Sequence, residues 1–128
     1  MNRSVLLIED NEQNRYLVTF LLEQSGYQVI AFADGARGIE AARTMTPVLV
    51  LLDIQLPLMD GYAVARALRE HDTLRHIPIV AVTSYAMPGD REKALAAGCT
   101  GYIEKPINPE TFVAEVESAI ARAREAAT

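Results

Sequence analysis

The residues of this chain that could carry chemistry follow directly after its apolar segments. An uninterrupted run of five apolar residues ends at Asp53, and the first apolar run of the chain ends at Glu9 and Asp10. Two further runs lead to Thr83 and to Lys105. Because open parallel sheets bind their ligands at the carboxyl ends of the strands, we expect these five side chains on one rim of a sheet.

Three carboxylates on one rim predict a site for a divalent metal ion, because a hard cation relieves their mutual repulsion. Mg²⁺ typically takes one or two carboxylates, keeps several waters and shares its other positions with phosphate oxygens. We expect Mg²⁺ or Mn²⁺ with Asp10 and Asp53 as direct ligands and Glu9 acting through water. A simpler interpretation is that Glu9 and Asp10 cap the following helix, whose N-terminus favours negative charge.

Asp53 has a second candidate role, as a nucleophile. A carboxylate can attack phosphorus and carry the phosphoryl group as an aspartyl phosphate. The Thr83 hydroxyl could then donate to one phosphoryl oxygen, and the Lys105 ammonium could pair with another. A cis peptide bond between Lys105 and Pro106, which proline makes accessible, could fix the direction of the lysine side chain.

The elements that must position these residues are predicted to be five strands alternating with five helices, a pattern typical of a parallel sheet. The strands are predicted at about 5–8, 27–32, 48–53, 77–82 and 102–103. Three helices are predicted at about 12–24, 36–45 and 88–97. Another is predicted to begin after an N-cap at Asp60, and the last to begin at Pro109 after an N-cap at Asn108. Right-handed crossovers place every carboxyl end of a strand on the same side.

Size and composition narrow the class of protein. A chain of 128 residues, half of them hydrophobic, is expected to form a single domain over residues 1–128. The net charge of −5 and the lack of a cluster of basic residues argue against direct binding of nucleic acid. Short apolar runs, the lack of a signal-peptide pattern and a single cysteine, Cys99, favour a cytoplasmic protein without membrane spans or disulfides.

The sequence resembles the receiver domains of bacterial two-component response regulators, particularly the single-domain ones that are similar to chemotaxis regulators. The resemblance extends from about Ser4 to Arg122 and rests on four motifs in order. Each motif is weak alone, but the four at these separations are specific. They are Leu7-Ile8-Glu9-Asp10-Asn11, Leu52-Asp53-Ile54-Gln55-Leu56-Pro57 followed by Met59-Asp60-Gly61, Val82-Thr83, and Tyr102-Ile103-Glu104-Lys105-Pro106.

The resemblance implies a flavodoxin-like α/β fold, a (βα)5 three-layer sandwich with a parallel sheet of order 2-1-3-4-5. It implies that Asp53 accepts a phosphoryl group from a histidine kinase or a histidine phosphotransfer protein. Mg²⁺ is then held by Glu9, Asp10, Asp53 and the backbone carbonyl of Gln55. Glu9 stands where aspartate is common in the family, and its carboxylate preserves the metal site.

The resemblance also assigns the residues that respond to phosphorylation. Thr83 and Lys105 are expected to bind the phosphoryl oxygens, and Tyr102 is expected to move inward as Thr83 is drawn to the phosphate. The surface of the fourth helix, fifth strand and fifth helix then carries the signal to a downstream protein, in a monomer or weak homodimer. Gln55 and Tyr85 occupy positions that tune how fast such domains lose the phosphoryl group.

Three other functions compete with this interpretation. A Mg²⁺-dependent phosphatase also uses an aspartyl nucleophile, but it usually has a second acid where this chain has Gln55, so we expect no turnover of external substrates. A nucleotide- or flavin-binding protein needs a glycine-rich loop after the first strand, where this chain has Glu9 and Asp10. A receiver that only binds partners is disfavoured by the intact set of site residues.

Overall fold

The computed structural model describes residues 3–84 and 87–127. Within them, five strands alternate with five helices, and a 3₁₀ turn at Asp72–Leu74 precedes the fourth strand. The strands are β1 Ser4–Ile8, β2 Gln28–Phe32, β3 Leu49–Asp53, β4 Ile79–Thr83 and β5 Gly101–Glu104. The helices are α1 Glu12–Gln24, α2 Gly35–Thr44, α3 Gly61–Arg69, α4 Asp90–Ala96 and α5 Phe112–Ala127.

The strands form one parallel sheet in the order β2-β1-β3-β4-β5, which confirms the predicted fold. Since all neighbouring strands run parallel, their carboxyl ends share one edge. The register places Asp53 beside Val82 and Thr83 beside Glu104. The polar residues that follow the strands are therefore brought to neighbouring positions along this edge.

Helices cover both faces of the sheet, so β1, β3 and β4 consist almost entirely of buried residues. On one face, α1 and α5 contribute buried residues such as Leu22 and Phe112. On the other face, α2, α3 and α4 contribute residues such as Val64, Leu68 and Ala94. Burial on both faces explains why the central strands appear in the sequence as continuous apolar runs.

The helix boundaries differ from the sequence prediction where turns precede a helix. The last helix begins at Phe112, because the Asn108 side chain accepts from the Glu110 amide at 3.0 Å and forms a turn first. Similarly, α4 begins after Gly89, whose φ of 89° is left-handed and interrupts the helix predicted from Pro88. The first helix has the predicted bounds. No helix in the described part of the chain is long and apolar enough to cross a membrane.

Candidate functional site

Asp53 is the last residue of β3, and its side chain is only 3% exposed. Its Oδ1 atom accepts a hydrogen bond from the backbone amide of Gln55 at 2.9 Å. The Ile54 amide donates to the carbonyl of Val82 at 3.1 Å, which extends the pairing of β3 with β4 past the carboxylate. The loop after β3 therefore holds Asp53 at the edge of the sheet with one oxygen already satisfied.

Glu9 and Asp10 follow β1, the neighbouring strand of the sheet. Glu9 is buried and its amide donates to the carbonyl of Phe32 at 3.0 Å, whereas Asp10 is exposed. One carboxylate oxygen from each of Glu9, Asp10 and Asp53 lies within 4.8 Å of the others. The structure thus brings together the three acids that the sequence predicts at one metal site.

Lys105 completes this group from the loop after β5. Its ammonium Nζ lies 2.8 Å from Glu9 Oε1 and 3.5 Å from Asp53 Oδ2. The backbone amide of Lys105 donates to the Thr83 carbonyl at 2.7 Å, and the bond to Pro106 is cis. The Lys105 side chain is 11% exposed. Its ammonium group therefore supplies a positive charge inside the acid cluster and pairs with two of the three carboxylates.

The pKa values of two of these acids are shifted in the direction that burial of charge predicts. The pKa of Asp53 is raised, first by desolvation and then by its contact with Glu9. The pKa of Asp10 is also raised, by desolvation and then by Asp53. The cluster therefore holds more negative charge than its surroundings readily accommodate. An added divalent cation with oxygen ligands fits this donor set.

The remaining predicted residues lie on β4 and β5 and in the loop after β3. Thr83 is buried at the end of β4. The Gln55 side chain accepts from the Ser84 amide at 3.2 Å, which joins the loop after β3 to the loop after β4. Tyr102 packs on the layer formed by α2, α3 and α4, with the guanidinium of Arg91 6.0 Å from its ring centre. Its hydroxyl is buried and has no hydrogen-bond partner among the described residues.

The order and geometry of these residues match one protein family. The sequence profile of the response regulator receiver domain matches residues 5–117. This chain belongs to that family. The chain is therefore a receiver domain of two-component signalling, as the four sequence motifs indicated.

Curated relatives and solved structures agree with this assignment. The polar-differentiation response regulator DivK of Brucella anthropi is 44% identical over 118 residues, which cover 92% of this chain and 96% of that protein. The receiver domain of a sensor histidine kinase from Pseudomonas aeruginosa, solved with a magnesium ion in its active-site cleft, is 33% identical. It has a TM-score of 0.86 over 94% of this chain and 99% of its own.

A chemotaxis response regulator of Vibrio cholerae shares the fold with a TM-score of 0.89. It is 28% identical, and the match covers 93% of this chain and 99% of that structure. The likeness to relatives of two kinds, a regulator and a domain of a sensor kinase, places the similarity in the receiver domain itself.

Two features of the receiver's site were missed by sequence reasoning. The cap of α1 is Asn11, whose side chain accepts from the Asn14 amide at 2.9 Å, so Glu9 and Asp10 are not the capping residues. An asparagine directly before the helical periodicity could have shown this. The guanidinium of Arg15 donates to the carbonyls of both acids. Bonds from a side chain to backbone atoms leave no pattern in the sequence.

The expected effect of Tyr85 on the lifetime of the phosphoryl group concerns a residue that lies outside the described ranges. The Gln55 side chain accepts a hydrogen bond from the Ser84 amide. Gln55 is therefore the residue of this pair for which the structure provides a contact.

Proposed function

We propose that Asp53 is the phosphoacceptor of this receiver domain. The observation that carries the proposal is that its buried carboxylate lies within 4.8 Å of two further carboxylates and 3.5 Å from one ammonium group. With one oxygen held by the Gln55 amide, the other is directed to the cluster. Attack by this oxygen on a phosphohistidine forms an oxygen–phosphorus bond as the nitrogen–phosphorus bond of the donor breaks.

Mg²⁺ is the proposed cofactor, and Mn²⁺ is its substitute. Glu9, Asp10 and Asp53 supply hard carboxylate oxygens, and the backbone carbonyl of Gln55 is proposed as a further ligand. The bound ion would offset negative charge on the carboxylates and on the incoming phosphoryl oxygens. The raised pKa values of Asp10 and Asp53 support a site that favours an added cation.

Thr83 and Lys105 are proposed to bind the phosphoryl group. The ammonium of Lys105 already lies between Glu9 and Asp53, so it can pair with a phosphoryl oxygen attached to Asp53. Thr83 ends the neighbouring strand, one position beyond the register partner of Asp53. A hydroxyl there is suited to donate to a second phosphoryl oxygen.

Phosphorylation is proposed to change the surface formed by α4, β5 and α5. A phosphoryl group adds about −1.5 to −2 charge. This charge would attract the Thr83 hydroxyl toward the phosphoryl oxygens and so change the segment between β4 and α4. Tyr102 is the proposed reporter, because its buried hydroxyl has no hydrogen-bond partner among the described residues and can exchange this position for another. The partners are a histidine kinase or phosphotransfer protein as donor and a downstream effector protein.

The chain is proposed to act as a signalling domain and not as an enzyme on external substrates. Gln55 occupies the place of a second catalytic acid, and its side-chain oxygen accepts from the Ser84 amide. We further propose one receiver domain over residues 1–128, a cytoplasmic location, a monomer or weak homodimer, and no direct contact with nucleic acid.

Intact mass spectrometry tests the phosphoacceptor proposal. Incubation with acetyl phosphate and Mg²⁺ is expected to add the mass of one phosphoryl group. EDTA and the substitution Asp53→Asn are each expected to abolish the gain, because they remove the metal and the nucleophile. A gain that persists in Asp53→Asn would contradict the proposal, and so would sustained release of phosphate from unrelated phosphate esters.

A further inference from the structure

Arg15 lies on the first turn of α1, close behind the acidic pair. One nitrogen of its guanidinium, Nη1, donates to the backbone carbonyl of Glu9 at 2.9 Å and to that of Asp10 at 3.0 Å. The Arg15 amide also donates to the Asn11 carbonyl at 2.9 Å, within the first turn of the helix. The arginine is therefore joined to the segment between β1 and α1 through both its side chain and its backbone.

The two carbonyls belong to the two peptide units on either side of the Asp10 α-carbon. Each peptide unit is planar, so a residue has only two soft backbone torsions, φ and ψ. Because Arg15 holds both flanking units, it restrains both torsions of Asp10. The direction of the Asp10 side chain relative to α1 is then set by Arg15.

Asp10 has reason to turn away from the site. One oxygen of its carboxylate lies within 4.8 Å of oxygens of Glu9 and Asp53, and like charges at that distance repel one another. Glu9 is restrained by its ion pair with Lys105 and by the Asn11 amide, which donates to Glu9 Oε2 at 3.1 Å. Among the described residues, no ion pair restrains the exposed carboxylate of Asp10 in this way.

We propose that Arg15 is a positioning residue that keeps the Asp10 carboxylate directed at the metal site. This inference rests on the proposed Mg²⁺ site. The positioning of Asp10 by Arg15 favours Mg²⁺ binding, whereas the positive charge of Arg15 by itself disfavours a bound cation. Removal of Arg15 therefore weakens Mg²⁺ binding if the arginine positions Asp10, and strengthens it if only the charge matters.

Titration calorimetry at fixed ionic strength tests this inference on the intact chain. We expect Arg15→Met to raise the Kd for Mg²⁺ about tenfold or more, the scale typical of residues that orient metal ligands. Arg15→Lys is expected to fall between Arg15→Met and the wild type, since its side chain is one bond shorter but still donates. Arg43→Met is the matched control, because Arg43 is an exposed arginine in the last turn of α2 that forms an ion pair with Glu40, and its loss should leave the Kd unchanged.

The pattern of results separates this inference from the proposed function. An unchanged or lower Kd in Arg15→Met would overturn the positioning role while leaving the metal site intact. A wild-type chain that bound no Mg²⁺ would overturn the metal site itself. Phosphorylation by acetyl phosphate should recover in Arg15→Met at saturating Mg²⁺, since the defect is in affinity. If Arg15→Met fails to fold by circular dichroism, Arg15→Lys decides by the same comparison of Kd values.

Discussion

Asp53 occupies a setting in which its negative charge is stabilised only in part. The Lys105 ammonium is 3.5 Å away but lies closer to Glu9, at 2.8 Å. Desolvation is the largest cause of the raised pKa of Asp53, followed by Glu9. The same charge that suits Asp53 to the proposed metal site therefore opposes folding when no metal is bound.

Asp53→Asn is accordingly expected to stabilise the metal-free domain at pH 7. The folded-state pKa of Asp53 lies above its ordinary value of 3.8, so ionisation of its side chain opposes folding. This cost is present at neutral pH and is lost once the group is protonated. The advantage of asparagine, about 1 kcal/mol in the free energy of unfolding, should therefore shrink as the pH falls through the raised pKa toward 3.8. Urea unfolding in EDTA at several pH values measures it. A loss of stability at pH 7 would contradict this account.

Among the elements, the end of α3 depends on one partly buried cation, Arg69. The Arg69 guanidinium donates to the carbonyls of Gly98 at 2.8 Å, Leu74 at 2.7 Å and Ile77 at 2.6 Å. These carbonyls belong to the segment after α4, the 3₁₀ turn and the segment before β4. Desolvation lowers the pKa of Arg69. One side chain thus joins the connection between α3 and β4 to the connection between α4 and β5.

Arg69→Met is expected to lower the free energy of unfolding by about 3 kcal/mol, because it removes the hydrogen bonds that its guanidinium makes to several partly buried carbonyls. Arg66→Met, one turn earlier on the same helix and exposed, is the matched control and should change stability by less than about 0.5 kcal/mol. Chemical denaturation of both variants makes the comparison. Equal effects of the two substitutions would show that the hydrogen bonds of Arg69 add no stability.

The elements that sequence reasoning predicted well are those defined by burial and by local chemistry. The central strands are buried on both faces and appear as apolar runs. Helix α1 ends before Gly26, whose φ of 90° requires glycine. The start of α5 was placed wrongly at Pro109, because the turn around Asn108 replaces the first helical turn. The contacts of Arg15 and Arg69 are made to distant or backbone atoms, so neither periodicity nor motif spacing indicates them.

In the whole molecule, the ends of the sheet have different roles. The carboxyl ends of the strands carry the acids, the lysine and the threonine. The opposite edge carries the bonds of Arg69. Between them, α4 has seven residues, of which only Ala94 is buried. A short helix with so little buried surface is the element that can rearrange at small cost when the charge at the site changes.

Hydrogen exchange is expected to report this rearrangement. Phosphorylation by acetyl phosphate and Mg²⁺ should change the protection of amides in α4 and β5, while the buried strands β1 and β3 keep theirs. Asp53→Asn under the same conditions is the control and should show no change. Altered exchange confined to the loops that hold Glu9 and Asp53 would argue against transmission of the signal to α4 and β5.

The central claim is that the phosphoryl group is carried by Asp53, and borohydride trapping tests it most directly. Borohydride reduces an aspartyl phosphate to homoserine, which releases phosphate and marks the residue permanently. After treatment with acetyl phosphate and Mg²⁺, the tryptic peptide of residues 44–66 should contain homoserine at position 53. Reduction at Glu9 or Asp10 instead, or a phosphorylated chain with position 53 unreduced, would contradict the account.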